Sequence, residues 1–295
     1  MKIIDIKEVA KRDWFDYRDI FPFIVQIGVG GTGGYLVQHI SQLLGTSKTR
    51  AAYVIADCDV IEEKNLRNQL FLPSEVGLKK ADVLAGRYSH AYGIDIGVYS
   101  KSYVETPEKL QSLFSREYMS TGITYSTLLL PIIIGTVDNH YTRRVINSLF
   151  NNLNTCIYID AGNESTKVPS DFLTRSKENW RKEEIEAYKE SGWSGQVVTG
   201  VRTNFFKQPS VVEMFPDILD DDELRPSEIS CSELSASEPQ RLMVNKFAAL
   251  CVANILTEII EEHTLSSHIT FFHAKKGYMR TTPIYEGNEK EPYIA

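Results

Sequence analysis

The sequence predicts an α/β fold: a Rossmann-like, doubly wound and mostly parallel sheet, with a long helix and antiparallel strands toward its C-terminal end. An apolar run at 24–27 ends in a glycine cluster, and an amphipathic stretch follows at once. Further apolar runs alternate with helical patterns up to residue 160, and polar residues follow their carboxyl ends. This alternation is typical of parallel sheets, which bind ligands at the carboxyl ends of their strands.

The first strand and helix are joined by a G-x-G-x-x-G spacing at Gly28, Gly30 and Gly33. The first glycine permits a tight turn, the second lets the backbone approach a phosphate, and the third lets the helix pack close to the strand. The helix directs unpaired N–H groups and the positive end of its dipole toward the turn. We interpret this loop as a nucleotide-phosphate site, and the alternative is a glycine-rich turn without a ligand.

The remaining elements follow from apolar periodicity and from start and stop signals. Thr106 is a helix cap with Pro107 at the first helical position, and the run at 128–136 is apolar enough for a central strand buried on both faces. The predicted strands are 24–27, 51–56, 95–103, 128–136, 156–160, 195–201, 268–273 and 278–283. The predicted helices are 33–44, 79–92, 107–119, 140–153 and 239–263.

The predicted domain organisation is an N-terminal lead-in at 1–22, one α/β domain at 23–283 and a tail at 284–295. The composition shifts after residue 163, where a charged segment with two tryptophans begins. We therefore expect an insertion into the domain at about 164–229. No internal repeat is evident, and a chain of 295 residues can bury a large core without disulfides or metals.

Composition and charge exclude several classes of protein. The net charge of −7 disfavours a general nucleic-acid binder. The longest apolar run, 128–134, is too short to cross a membrane, and the N-terminal residues do not resemble a signal peptide. The four cysteines form no C-x-x-C pair, so we expect no zinc. These observations predict a cytoplasmic protein with no membrane or nucleic-acid partner.

Polar residues follow the predicted strands where a ligand site is expected. Asp57 lies 24 residues after Gly33, close to the position at which nucleotide folds place the acid that binds the ribose hydroxyls. A loop-entry or capping aspartate is the competing interpretation. Asp138 and Asn139 follow the most apolar strand, and we expect Arg143, one helical turn later, to pair with an acid and brace the site.

Five motifs in order, together with the glycine loop, resemble the ThiF/MoeB family, the adenylating domain shared with ubiquitin-activating enzymes. They are D-x-D at 57–59, N-L-R-N-Q at 65–69, G-x-x-K-A at 77–81, D-N-x-x-x-R at 138–143, and Cys231 before the long helix. The resemblance covers about 22–283. A closer resemblance, to the ThiF-like proteins of bacterial PRTRC gene clusters, rests on 160–163 (DAGN), 195–198 (GQVV), 214–216 (MFP) and 230–232 (SCS).

The resemblance implies a reaction and a set of site residues. ATP and Mg²⁺ would be the cofactors, and the C-terminal carboxylate of a small ubiquitin-like or sulfur-carrier protein or peptide would attack the α-phosphate and release pyrophosphate. The resemblance assigns nucleotide contacts to Gly28, Gly30, Gly31, Gly33, Asp57, Asp59, Asn65, Gln69, Lys80 and Asn139. It assigns catalysis to Lys80, Arg67, Asp138 and Cys231, with Asp138 as the metal ligand. It also implies a homodimer.

Two places depart from the family pattern. Relatives carry an arginine that contacts phosphate where this chain has Asn68, and Arg67 lies one residue earlier. An amide does not replace a forked guanidinium. Some relatives send an arginine across the dimer from an N-terminal helix, and Arg12 and Arg18 are candidates by location. Cys231 is either the acceptor of the activated acyl group or an ordinary loop cysteine.

Three other functions compete with adenylation. A nicotinamide-dependent oxidoreductase would use the same loop and Asp57, but it leaves Lys80 and the 138–139 pair unexplained. A non-catalytic nucleotide-binding scaffold is favoured by Asn68. Activation of a carboxylate on tRNA, as in some relatives, is disfavoured by the acidic charge.

Overall fold

A computed structural model describes residues 3–11, 16–119, 123–220, 224–228 and 240–284. The strands within them are β1 (Ile4–Asp5), β2 (Asp19–Ile27), β3 (Ala52–Ala56), β4 (Gly97–Tyr99), β5 (Thr127–Gly135), β6 (Cys156–Asn163), β7 (Ser194–Arg202), β8 (Lys207–Gln208), β9 (Thr264–Leu265), β10 (Ser267–His273) and β11 (Tyr278–Pro283). Nine of these strands form one sheet with the order β11-β10-β7-β6-β5-β2-β3-β4, in which β8 pairs with β7. The helices are α1 (Ile6–Ala10), α2 (Gly31–Thr46), α3 (Lys80–Tyr92), α4 (Pro107–Ser112), α5 (His140–Asn152), α6 (Lys182–Glu190), α7 (Val211–Met214) and α8 (Leu242–Thr257).

The parallel half of the sheet contains β2 through β6. β2 lies between β3 and β5, and nine residues of β2 pair with nine of β5 in parallel. Most of their residues are apolar and buried, and they face both sides of the sheet, as is typical of a central parallel strand. The predicted mostly parallel α/β fold is therefore confirmed. β2 begins at Asp19, because Ile20 and Phe21 are buried as well, so the end of the predicted lead-in belongs to the sheet.

The antiparallel half begins at β6, which pairs with β7, and continues through β10 to β11. β6 runs to Asn163, three residues beyond its predicted end, because those residues pair with the start of β7. The predicted insertion at 164–229 therefore includes two strands of the main sheet, β7 and β8. The part of it that precedes β7 holds α6 and lies outside the sheet.

Helices cover both faces of the sheet and give two hydrophobic cores. One core packs α2, α3 and α8 against residues such as Ile24, Tyr53 and Ile132. The other packs α4, α5 and α7 against the opposite face, including Val25 and Ile133. The adjacent strand residues 24 and 25 contribute to different cores, since successive side chains of a strand point to opposite faces.

Two predicted elements are shorter in the structure. The predicted helix at 107–119 ends at Ser112, and a separate turn of 3₁₀-helix, Arg116–Tyr118, begins after Ser115. The Ser115 hydroxyl caps that turn by accepting the Glu117 amide, so a local hydrogen bond competes with continuation of the helix. The strand predicted at 95–103 is only Gly97–Tyr99, since the sheet edge offers it three partners in β3.

The C-terminal helix differs from the predicted 239–263 at both described ends. It begins at Leu242, and after Thr257 it continues as a turn of π-helix, Glu258–Glu262, which ends at a left-handed His263 with φ of 59°. Over Leu242–Glu262 it is long and apolar enough to cross a membrane, with a mean hydropathy of 1.5. More than half of this segment is buried inside the protein, where it packs against α2, β6 and β7 as a core helix.

Candidate functional site

A cavity of about 1450 Å³ opens at the carboxyl ends of the parallel strands. Its size exceeds the roughly 300–1,000 Å³ typical of a site for one small ligand, so it has room for a nucleotide and part of a second substrate. The sequence-derived site residues that line it are Gly28, Gly30, Gly31, Asp57, Asp59, Asn65, Arg67, Asn68, Gln69, Lys80, Asp138, Asn139 and Arg143. The structure therefore brings residues of the glycine loop and of four further motifs to one edge of the sheet.

The glycine loop has a backbone that side chains would block. Gly28 has a φ of +87°, and a Cβ there would lie 2.7 Å from the carbonyl oxygen of Thr136. A Cβ at Gly33 would lie 2.2 Å from the carbonyl oxygen of Gly28, so this glycine permits close packing of α2 on the loop. Around Gly30 the nearest atom to a Cβ is 3.8 Å away, on Gln69. The backbone of Gly30 is thus open to a ligand.

A buried glutamine holds the loop from behind. Gln26 Nε2 donates to the carbonyl oxygens of Gly28 and Gly33, each at 3.0 Å, and Gln26 Oε1 accepts from Tyr53 Oη at 2.6 Å. Thr136 Oγ1 also donates to Gly28 O, at 2.6 Å. Gln26 is not among the predicted site residues. A single polar residue inside an apolar run is nevertheless a usable signal of a hydrogen-bonding role, and Gln26 is fully buried.

Asp57 joins the loop to the next strand. Its Oδ2 accepts the Val29 amide and its Oδ1 accepts the Asp59 amide, both at 2.8 Å. Burial raises the pKa of the Asp57 carboxyl, while the nearby Lys80 ammonium opposes that rise. Each carboxylate oxygen retains a further lone pair, because an ionised carboxylate has about four acceptor positions. Asp57 can therefore accept hydroxyl protons without leaving the loop.

Asp59 is held between a lysine and a tyrosine. Lys80 Nζ lies 2.9 Å from Asp59 Oδ2, and Tyr103 Oη donates to Asp59 Oδ1 at 2.9 Å. Burial lowers the pKa of Lys80, but the carboxylates around it, Asp57 first, outweigh burial and the net pKa is raised. Lys80 is consequently a fixed cation at the cavity wall. Tyr103 lies in an irregular loop, where no apolar periodicity or capping pattern predicts a site residue.

The end of β5 supplies the next polar group. Asn139 Oδ1 caps α5 by accepting the Thr142 amide at 2.8 Å. Arg143 is buried and pairs through Nε with Asp160 Oδ1 at 3.0 Å, and its Nη2 donates to the Val137 carbonyl oxygen at 2.9 Å. The predicted pairing of Arg143 with an acid is confirmed. This pair fixes the backbone just before Asp138.

The segment 65–69 uses its side chains in different ways. Asn65 is buried and its Oδ1 accepts the Glu62 amide at 2.9 Å. Arg67 is exposed at the cavity, where no described residue pairs with it. Asn68 Nδ2 donates to the Gln240 carbonyl oxygen at 3.4 Å, so it binds the start of the C-terminal helical region. Gln69 Oε1 is buried without a partner among the described residues.

A second amide cluster lies behind the loop. Asn163 Nδ2 donates to Thr32 Oγ1 and to Asn245 Oδ1, both at 2.9 Å. A Cβ at Gly31 would lie 2.3 Å from Asn245 Nδ2, so that glycine makes room for an amide from α8. The cluster ties α2, β6 and α8 together at the floor of the cavity.

Several sequence-derived candidates lie elsewhere. Cys231 and Arg12 fall outside the described residues. Arg18 precedes β2 and is therefore at the amino end of the sheet, opposite the cavity of its own chain. Among the described residues, no three His, Cys, Asp or Glu side chains cluster closely enough to form a metal site.

The sequence matches no protein-family model, and a search of curated proteins gives no match. Solved structures are similar at low identity. PaaA superposes with a TM-score of 0.55 and 12% identity, covering 90% of this chain and 64% of PaaA. E. coli MccB with MccA gives 0.52 and 14%, covering 90% and 64%. MccB with ATP gives 0.50 and 16%, covering 88% and 63%.

The chain spans less than two thirds of the length of these neighbours. Identities of this size establish the fold alone. The resemblance to PRTRC-cluster proteins stays a prediction. The chain shares the fold of PaaA and MccB.

Proposed function

We propose that this chain binds ATP and uses it to adenylate the C-terminal carboxylate of a peptide or small protein. The observation that carries the proposal is one cavity in which the glycine loop, Asp57, Lys80 and Asp138 meet. MccB, which has a similar fold, has been solved with ATP and with MccA. These neighbours support the nucleotide and a peptide-like substrate for this chain.

ATP would lie with its ribose at Asp57 and its phosphates over Gly30. The ribose hydroxyls donate to the lone pairs that Asp57 keeps free, and the phosphates approach the open backbone and the N-terminal end of α2. Lys80 then exchanges its contact with Asp59 for a phosphate oxygen. Tyr103 holds the other oxygen of Asp59 during this exchange, so the carboxylate keeps a hydrogen-bond donor when the lysine leaves.

Asp138 is suited to a magnesium ion. Mg²⁺ commonly binds one or two carboxylates together with substrate phosphates, so a single carboxylate at the cavity fits it. When bound, the ion neutralises phosphate charge. Asn139 caps α5 and Arg143 pairs with Asp160, and both hold the Asp138 backbone in place.

The chain supplies position and charge to the reaction. A carboxylate oxygen of the substrate forms a bond to the α-phosphorus, and the bond from that phosphorus to the leaving pyrophosphate breaks. No general base is needed, because a C-terminal carboxylate is ionised at neutral pH. Lys80, and Arg67 at the cavity rim, offset the negative charge that gathers on the phosphate oxygens.

The identity of the substrate, the oligomeric state, the acyl acceptor and the source of a further arginine stay predictions. The substrate is a small ubiquitin-like or sulfur-carrier protein, or a peptide, and the enzyme is a cytoplasmic homodimer with no membrane or nucleic-acid partner. Cys231 accepts the activated acyl group. An arginine from the second subunit, Arg12 or Arg18, supplements the phosphate contacts.

A non-catalytic nucleotide-binding scaffold is the second candidate, and one observation favours it. Asn68, at the position where relatives carry the phosphate-binding arginine, donates to Gln240 O instead. A site with this residue retains the loop and Asp57 for binding, and it loses one cation that would favour turnover.

Carboxylate-dependent exchange of labelled pyrophosphate into ATP tests the proposal. The substrates are purified candidate carrier proteins and a pool of peptides with free C-termini. We expect exchange with the native sequence. Asp138→Ala should lower the exchange rate by about 100-fold or more, because it removes the proposed ligand of the magnesium ion that would neutralise phosphate charge in the transition state. Asp95→Ala, an exposed carboxylate outside the cavity, is the control. ATP binding without exchange on any substrate would support the scaffold instead.

A further inference from the structure

A row of four side-chain positions crosses the antiparallel half of the sheet. Gly162 of β6 pairs with Gln196 of β7, Gln196 with Phe271 of β10, and Phe271 with Arg280 of β11. Directly paired residues point to the same face of a sheet. We name these four residues the cross-strand row. Its first three members also line the cavity that contains Asp138.

Among the described residues, the side chains of this row form no hydrogen bond or ion pair. A Cβ at Gly162 would meet nothing nearer than 3.7 Å, so the space above it is open. The Gln196 amide has no hydrogen-bond partner within the described part of the chain. The Phe271 ring is 42% exposed. Arg280 is exposed and forms no ion pair with any described residue.

The near end of the row adjoins the reacting groups. Arg143 Nη2 is the atom closest to the open position at Gly162, and Arg143 braces the backbone before Asp138. The far end is the edge strand β11. The row therefore runs without interruption from the proposed phosphate site to the outside of the protein, as a path for one extended chain would.

We propose that the cross-strand row binds the last residues of the acyl substrate, a peptide tail with an acidic residue upstream of its C-terminus; this inference rests on the proposed function. A small terminal residue lies above Gly162, and the Gln196 amide donates to and accepts from one peptide group. An apolar side chain packs on Phe271, and a carboxylate pairs with Arg280.

The dimensions of the row give the position of the acidic residue. Neighbouring strands lie about 4.8 Å apart, so three strand intervals from Gly162 to Arg280 span about 14 Å. An extended peptide advances about 3.3 Å per residue and covers that distance in about four residues. With the terminal residue above Gly162 counted as the first, the acidic side chain is thus expected at about the fifth residue from the C-terminus and the apolar one at about the fourth.

A peptide array with free C-termini tests this inference. Peptides are attached through their N-termini, varied over the last six positions, and probed with the full chain in the presence of AMPCPP. We expect enrichment of Asp or Glu at about the fifth residue from the end. Arg280→Glu should weaken binding of such peptides by about tenfold and select Lys or Arg instead, because attraction becomes repulsion.

Two further variants complete the test. Phe271→Ser should remove the apolar preference at about the fourth residue and leave the acidic preference in place. Lys276→Glu makes the same charge change in the turn before β11, outside the row, and should leave the selected peptides unchanged.

The outcomes separate this inference from the proposed function. Failure of the native chain to bind AMPCPP would overturn both. Binding of AMPCPP together with peptide selection that Arg280→Glu leaves unchanged would overturn the inference alone. A change in oligomeric state caused by Arg280→Glu, without a change in selection, would also overturn it and assign the row to a subunit interface.

Discussion

Replacing Lys80 with methionine is expected to lower the turnover number for pyrophosphate exchange by about 100- to 1,000-fold, the usual cost of removing one donor from developing transition-state charge. Lys80 is buried at the cavity wall, and within the described part of the chain its side chain pairs with Asp59, 2.9 Å away. Methionine keeps the length of the stem and removes the charge. The raised pKa of Lys80 means that the native side chain is protonated throughout the neutral range.

The measurement compares the turnover number with the KM for ATP. Lys79→Met is the matched control, because the preceding lysine donates to the Cys58 carbonyl oxygen and does not line the cavity. The control should change the turnover number by less than about threefold, as expected for a residue outside the reacting groups. A loss confined to KM in Lys80→Met would mean that the lysine binds ATP equally in the ground and transition states.

Replacing Arg143 with methionine is expected to lower the free energy of unfolding by about 3–5 kcal/mol, the cost of leaving a buried charge without its partner. The Arg143 side chain is 10% exposed and its partner Asp160 is 2% exposed. Asp160 also accepts a hydrogen bond from Tyr158 Oη at 2.8 Å, which does not neutralise its charge. Urea unfolding followed by circular dichroism measures the change.

A second variant identifies the cause. Arg143→Met combined with Asp160→Asn removes both charges and keeps an acceptor for Tyr158. Because a buried ion pair contributes little beyond a neutral replacement, the double variant should be more stable than Arg143→Met alone. Equal instability of the two variants would show that lost packing or the lost Val137 contact, and not the stranded carboxylate, dominates.

The location of the site could be predicted from the sequence, because parallel strands deliver their carboxyl ends to one edge. Asp57 and Asp138 follow from that rule, Lys80 follows from the resemblance of the motif at 77–81, and all three line the cavity. Asp59 also lines the cavity, but its direct contacts with Lys80 and Tyr103 cannot be predicted from the spacing of these residues in the sequence. Tyr103 lies in a loop, where neither period nor cap predicts a neighbour.

Other features depend on residues far apart in the sequence. The direction of the Asn68 amide is set by Gln240, 172 residues later. The extension of β6 to Asn163 depends on pairing with β7. The apolar run at 156–160 alone therefore predicts a strand that is three residues too short. Gln26 is the opposite case, because a single polar residue inside an apolar strand is visible in the sequence and indicates a buried hydrogen-bonding role.

The transfer of oxygen from substrate to nucleotide tests the central claim most directly. A peptide selected on the array is prepared with ¹⁸O in its C-terminal carboxylate and incubated with the enzyme, ATP and Mg²⁺, and hydroxylamine is added to break the acyl-adenylate. Attack on the α-phosphate predicts release of pyrophosphate, a peptide hydroxamate that keeps one ¹⁸O, and AMP that carries the other, because hydroxylamine attacks the carbonyl carbon and the bond from that carbon to the bridging oxygen breaks. Formation of ADP with label in inorganic phosphate would contradict the account, because it places the attack on the γ-phosphate.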